Sequence, residues 1–562
     1  MMPRQFTILY RTLLFVAMLL FLTNCGGGSS SSSTNTESTV TQDDQPEDEF
    51  DRSEYKGLIF YYKNMPTSDY QLSPLTNEDF YQLDPSQQLY VADKLLTSLF
   101  FGYPLPELKK MIADGNFIND IQSALTEDRT DIAWLENYIL DDTYFYQYNS
   151  YYQPQAITIL SRFYAMKELD RYFFHNWIAY ILTQTIMFSP AYELDSTHTP
   201  DISRVYNRIV TMLNTESGMR YMTYVHMMSE ENWRRFRSPE DNGREMLEIY
   251  LFDTEDSHVP IAAKALQNWK LNTDYDTLEV GLNENQEPLS LFGTTIYNGD
   301  DFYRELVKSN DFTIGVTRRL IDFFFPMKDE RSRLHIADTI VSSHPETWQD
   351  ILLQILCSKT YLLDNQRPKS AEETFFSLAK KISYLYQART FGTLKNNLEN
   401  MHQATMKYKL GKLERVPLDT LSFAYYHRYI RSSVLLKHAN PDKVDDFYAW
   451  GRSGWSDNFI SFDHFDHNSS NDVASLDSFV DYLFESTIAQ KATDEEKQLF
   501  RDHMIHQKDG KDLFYWQFNM FVTFDDPEKQ ERKREEYKRN IAYIILDYIS
   551  RKDLTYMQRE VH

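Results

Sequence analysis

The sequence predicts a mainly α protein, an irregular multi-helix bundle with at most a small β-hairpin or ordered loop near residues 276–293. Three observations predict it. Apolar residues recur at spacings of three and four along most of the chain. Alternating strand patterns are scarce. Gly and Pro are few, 17 and 19 in 562 residues, and fall mostly between the periodic segments. No fixed-period repeat is present, so a solenoid is not expected.

The chain opens on a targeting pattern. Arg4 and Arg11 supply positive charge, and Leu13 to Leu22 is an apolar run of signal-peptide length, too short to span a bilayer. Leu22-Thr23-Asn24-Cys25 then resembles a bacterial lipobox, with Asn24 where Gly, Ala or Ser is usual. The expectation is a lipoprotein signal peptide over 1–24 and lipid attachment at Cys25. The following GGGSSSSS and acidic residues make 25–50 a flexible Gly/Ser/acidic tether. Several acyl chains on one Cys anchor firmly. Gly26, not Asp, follows the Cys. By resemblance to lipoprotein sorting this implies the outer membrane, with the body facing either side.

Helical segments then follow in order. LYVADKLLTSLFF, PELKKMIADGNFINDIQSAL, the long run from Ala156 to Phe188, and REMLEIYLF carry helical periodicity. The best strand signal is DTLEVGLNENQEPLSLFG, with short alternation on either side of Asn-Glu-Asn-Gln. TWQDILLQILCSKTYLL, AEETFFSLAKKISYLYQ and NIAYIILDYISRK return to helical spacing. A helical body is expected over 51–510, with a charged helical extension over 511–562.

Beyond the signal and tether, roughly 510 residues remain, ample for a large core. The chain has two Cys; with Cys25 lipidated, Cys357 is left as a buried thiol, so neither an internal disulfide nor a Cys-rich metal cluster is expected. A net charge of −25 argues against nucleic acid as a partner. Aromatics are 15% of residues, more than polar faces hold, so most belong in the core and a few remain for stacking on sugar rings.

Several stretches, in order, resemble one exported bacterial family, catalogued as domain of unknown function eighteen hundred. They are LLTSLFFGYPLPELKKMIADGNFINDIQSAL, RYFFHNWI, DNGREMLEIYLF with IAAKALQNW, LFGTTIYNGDDFYRELV, and RPKSAEETFFSLAKKI. Together they cover roughly 88–510 and are strongest over 88–400. The chain departs from the pattern at Trp177, where a second His is usual, at Gly243, and at Asn268-Trp269 in place of Gly-Trp. It also lacks a His-Asp-x-Gly-x-Lys loop in 276–293. The resemblance implies a divergent member and no agreed reaction. It also implies an exported sulfatase-like protein as a candidate partner, since members are often encoded beside one.

Three constellations could carry chemistry. His175 and Asn176 sit side by side inside an apolar helix, where burial demands hydrogen-bond partners. They are either a polar pair locking helices or the floor of a cleft. Asn242, Arg244, Glu245 and Glu248 form the second. Asn242 is placed to cap a helix, and Glu245 and Glu248 share a face three residues apart. With His175 they suit acid–base work or a bundle metal site; otherwise they are an ion-pair network. In the third, Asp466, Asn468, Ser470, Asp472 and Asp477 fall at calcium-loop spacing, making Ca the candidate cofactor. Asn471 replaces the expected Gly there. Other readings are a transition metal on His464, His467 and Asp463, or a polar loop capping the next helix. A Ser nucleophile elbow, a phosphate-binding Gly loop and a His-Glu-x-x-His helix are absent.

Two functions remain open at this stage. One is a surface-tethered binding or accessory lipoprotein for a partner protein or extracellular polymer. The other is a hydrolase- or lyase-like enzyme on an envelope or extracellular polymer, with His175, Arg244, Glu245 and Glu248 around one cleft.

Overall fold

In a computed structural model, residues 52–562 form one unit, distinct from residues 1–51. The structure describes 72–135, 152–187, 201–252, 420–439, 453–460 and 526–561, and, with short gaps, 256–406 and 472–512. The signal, the tether, Cys25, and the loop residues Asp463, His464, Asp466, His467, Asn468 and Ser470 lie outside the described residues.

Capping chemistry sets where helices begin. The first are α1 (Asn77–Gln82), α2 (Pro85–Ser98), α3 (Leu105–Ala113) and α4 (Phe117–Ala124). At α2, Asp84 accepts from the amides of Ser86 and Gln87, and Gln87 reciprocates to the Asp84 amide, with Pro85 as first residue. Next come α5 (Tyr152–Ala165), α6 (Arg171–Thr185) and α7 (Asp201–Asn214). From Tyr172 to Thr185 every residue of α6 is buried. A helix apolar on all sides must sit at the centre, and α6 does. It packs against α7 and against two later helices, Asn310–Phe324 and Trp348–Leu356.

The chain continues through α8 (Met219–Met227), α9 (Glu230–Arg235), α10 (Pro239–Leu251) and α11 (Val259–Ala265). Two hairpins follow. Strand β1 (Trp269–Asn272) pairs antiparallel with β2 (Thr277–Val280), Trp269 opposite Val280. Strand β3 (Leu289–Leu291) pairs with β4 (Thr294–Ile296), Leu289 opposite Ile296. The expected single hairpin is therefore split between two. Its first half pairs upstream with the strand anchored by buried Trp269, and its second half pairs downstream across Phe292-Gly293.

Helices then resume as α12 (Gly299–Lys308), α13 (Asn310–Phe324), α14 (Glu330–Val341), α15 (Trp348–Leu356) and α16 (Lys359–Leu362). Short strand β5 (Arg367–Pro368) precedes α17 (Ala371–Lys381), and β6 (Tyr384–Leu385) precedes α18 (Ala388–Asn400). Helix α19 (Thr420–Tyr429) runs into a π-helical turn, Ile430–Leu435. The rest is β7 (Gly454–Trp455), α20 (Asp472–Ile488), α21 (Asp494–Met504), β8 (Gln507–Lys508), β9 (Lys511–Asp512), α22 (Pro527–Ile549) and β10 (Met557–Gln558). Thus the class is mainly α, with several two-stranded pairings beyond the one expected. Among the described residues, no helix is long and apolar enough to cross a membrane.

Close helix crossings need glycine. A Cβ on Gly315 of α13 would lie 2.8 Å from the carbonyl carbon of Tyr250 at the end of α10. One turn on, Arg319 caps that end, its Nη2 donating to the Glu248 carbonyl at 2.9 Å and Nε to that of Ile249 at 3.3 Å. Phe252, left-handed at φ 54°, lies under the guanidiniums of Arg318 and Arg319, 4.4 and 4.0 Å from its ring centre.

The last strand closes the core. β10 pairs antiparallel with β5, Gln558 opposite Arg367. Arg367 is 0% exposed and forks Glu373 at the start of α17. Its Nε also donates to the Tyr361 hydroxyl at 2.9 Å. Gln558 Nε2 donates to Ser98 Oγ at 3.0 Å. Buried Lys94 on α2 donates to the carbonyls of Asn365, at 2.6 Å, and Arg559, at 3.0 Å. Burial, with the Arg367 charge beside it, pushes the Lys94 ammonium down to about 7.

Candidate functional site

His175 lies where α6, α7 and α15 meet. Its Nδ1 is 2.6 Å from Asn214 Oδ1, an acceptor, so Nδ1 carries the proton. Its Nε2 is left to accept from Gln349 Nε2 at 3.3 Å. Burial lowers the imidazole pKa, the Asn214 bond opposes this, and the Arg171 charge lowers it further. Both nitrogens of a neutral ring are therefore engaged by amides from two other helices. Asn176 is held likewise: Tyr206 donates to its Oδ1 at 2.8 Å, and its Nδ2 donates to the Tyr172 carbonyl at 2.8 Å. These are fasteners between α6 and its neighbours.

Helix α10 places the second set elsewhere. Its N-cap is Ser238, which accepts from the Asp241 amide at 3.1 Å, with Pro239 first in the helix. The expectation that Asn242 caps this helix is corrected. Asn242 lies inside the helix, fully buried, accepting from Tyr303 at 2.7 Å, while Trp233 Nε1 donates to the same hydroxyl at 3.0 Å. Arg244 faces outward and pairs with Asp256 at 2.9 Å and Glu240 at 3.8 Å. Glu245 and Glu248 both act on Arg319, whose guanidinium burial pushes down to about 10. The strongest charges on His175 come instead from Arg171, Asp128 and Asp170. The four residues thus fall into two neighbourhoods. Among the described residues, no group of three or more His, Cys, Asp or Glu side chains could hold a metal ion.

Of the calcium-loop residues, Asp472 opens α20 and Asp477 lies one turn further in. Arg501 of α21 forks Asp477, with Nε at 2.9 Å from Oδ1. A ligand at that position would have to displace a guanidinium.

Another buried imidazole, His226 at the end of α8, was not singled out by the sequence. It is 3% exposed and its Nδ1 has no hydrogen-bond partner. Burial pushes its pKa down to about 3, and the charges of Arg208 and Arg235 act in the same direction.

Two open clefts lie among the described residues. One, of about 890 Å³, lies at the start of α2, where Lys109 and Glu485 pair across it at 2.5 Å and Tyr90 and Val561 form part of its wall. The other, of about 680 Å³, lies between hairpin β3–β4 and the junction of α12 with α13. Its lining includes His258, Phe292, Thr294, Glu305, Lys308 and Asp311. Both volumes fall in the range of small-molecule sites. The readable signal for the second was LSLFGTTI, two alternating arms around a two-residue turn. Compared with known proteins, the chain matches no family model, no curated protein and no solved structure.

Proposed function

We propose that this chain is a cell-envelope lipoprotein whose helical body binds a partner protein or an extracellular polymer. The lipobox-like Leu22–Cys25 and the Gly/Ser tether support anchoring through Cys25. Gly26 after that Cys supports the outer membrane. The observation that carries the binding reading is the use of His175 and Asn176. Their polar atoms hold three helices together, and the two clefts among the described residues are lined by others. The resemblance to an exported family with sulfatase-like neighbours fits the same reading.

Anchoring is tested by feeding cells an alkyne-tagged fatty acid and comparing wild type with Cys25→Ser. The expected result is label in the wild-type membrane fraction and neither label nor membrane retention in the variant. Equal labelling of the two would refute attachment at Cys25. The binding reading fails if the purified protein turns over an envelope polymer and His175→Gln abolishes that turnover without unfolding the chain.

A further inference from the structure

We infer that the cleft beside hairpin β3–β4 binds a neutral saccharide, and that Phe292 is the ring on which the sugar stacks. This rests on the binding reading above and names its ligand class and site.

The first observation is backbone strain. Phe292 and Gly293 have φ of 50° and 79°, both positive, in a two-residue hairpin loop. Such a loop requires the left-handed region at both central positions and favours Asn, Asp or Gly at the first. A bulky aromatic residue there is an outlier. Local folding preference therefore argues against Phe at 292, and strain of this kind gathers at ligand sites.

The second observation is the chemistry of the cleft. The Phe292 ring is half-buried and stands edge-on to the His258 ring, centroids 5.1 Å apart at 71°. The same cleft is lined by Ser257, Ser290, Thr294, Glu305 and Asp311, residues that carry hydroxyls and carboxylates. Lys308, the one cation among the described lining residues, is bound to Glu305 at 2.6 Å. An ammonium already matched by Glu305, in a chain of net charge −25, does not attract a polyanion. A purely apolar ligand would strip water from carboxylates and hydroxyls and return no hydrogen bonds. A sugar fits both halves. Its C–H face lies on an aromatic ring, and its hydroxyls exchange hydrogen bonds with carboxylates and hydroxyls.

The test is Phe292→Asn in the full chain. Asn suits the left-handed position, so the hairpin keeps its turn while losing the ring. Wild type, Phe292→Asn and Phe292→Tyr are applied to immobilised neutral hexose oligosaccharides (glucans, mannans, galactans) and to uronic-acid and sulfated ones. Expected are retention of at least one neutral oligosaccharide by wild type and Tyr variant, and at least a tenfold weaker affinity in Phe292→Asn. The Asn variant should melt at or above the wild-type temperature. The inference is overturned if no neutral oligosaccharide binds, if only anionic ones do, or if Phe292→Asn binds as wild type does. Any of these leaves anchoring at Cys25 and binding of a protein partner standing, because those have their own readouts.

Discussion

Acid should destabilise this protein before its carboxylates are neutralised, and His226 sets a calculable part of the effect. In the unfolded chain its imidazole titrates near 6.5, and in the folded protein burial holds it at about 3. Between those values the unfolded chain takes up a proton that the native state does not. The stabilisation is complete above about pH 6.5 and is lost as pH falls, by about 1.4 kcal/mol per unit. From pH 7.5 to 5.0 that is about 2 kcal/mol for this one side chain. His175 is shifted the same way, chiefly by burial, and adds to the loss. The assay is urea unfolding followed by tryptophan fluorescence at pH 7.5, 6.5, 5.8 and 5.0, for wild type and His226→Gln. Every other group is common to both proteins, so the difference isolates position 226. The variant should lose about 2 kcal/mol less than wild type between pH 7.5 and 5.0. Parallel pH dependences would show that His226 charges in the native state, and would refute the reasoning.

Other expectations follow from the packing. Glu373→Gln leaves Arg367 buried without its counter-ion and should cost about 3–5 kcal/mol, whereas the double variant Arg367→Met, Glu373→Leu should recover most of it in a denaturation cycle. Gly315→Ala should cost about 3 kcal/mol or more, because its methyl group would overlap the Tyr250 carbonyl where α13 crosses α10, and a calorimetric melt would show it. Asp477→Asn releases Arg501 from a partly exposed pair and should cost about 1 kcal/mol, equally with and without millimolar calcium. A calcium-dependent difference would support the calcium-loop reading.

The helical class was legible because amphipathic spacing is local and repeats over many turns. So was the need of His175 and Asn176 for partners, since a buried polar pair in Phe-Phe-His-Asn-Trp has no other way to be satisfied. Their partners were not legible, because Asn214, Tyr206 and Gln349 arrive from helices up to 174 residues away. The start of α10 is set locally: Ser238-Pro239 carries the start signal, and Asn242, the expected cap, sits one turn inside. Its far end could not be read at all: Arg319, which closes it, belongs to another helix. The hairpins were half legible. Alternation marked 276–293 as one small hairpin or an ordered loop, but the pairing depended on Trp269 upstream and on a Phe-Gly turn that lacks the usual Asn.

The seat of β10 bears on how the chain is made. Lys94, Tyr361 and Arg367 leave the ribosome long before Gln558 and Arg559 exist to complete their hydrogen bonds. Until then α2 and β5 hold buried charge and an open strand edge, and the nascent body waits unfinished. A chain truncated before residue 557 would leave Lys94 and Arg367 short of those partners, so its core would stay more open to proteolysis than that of a chain carrying residues 557–561.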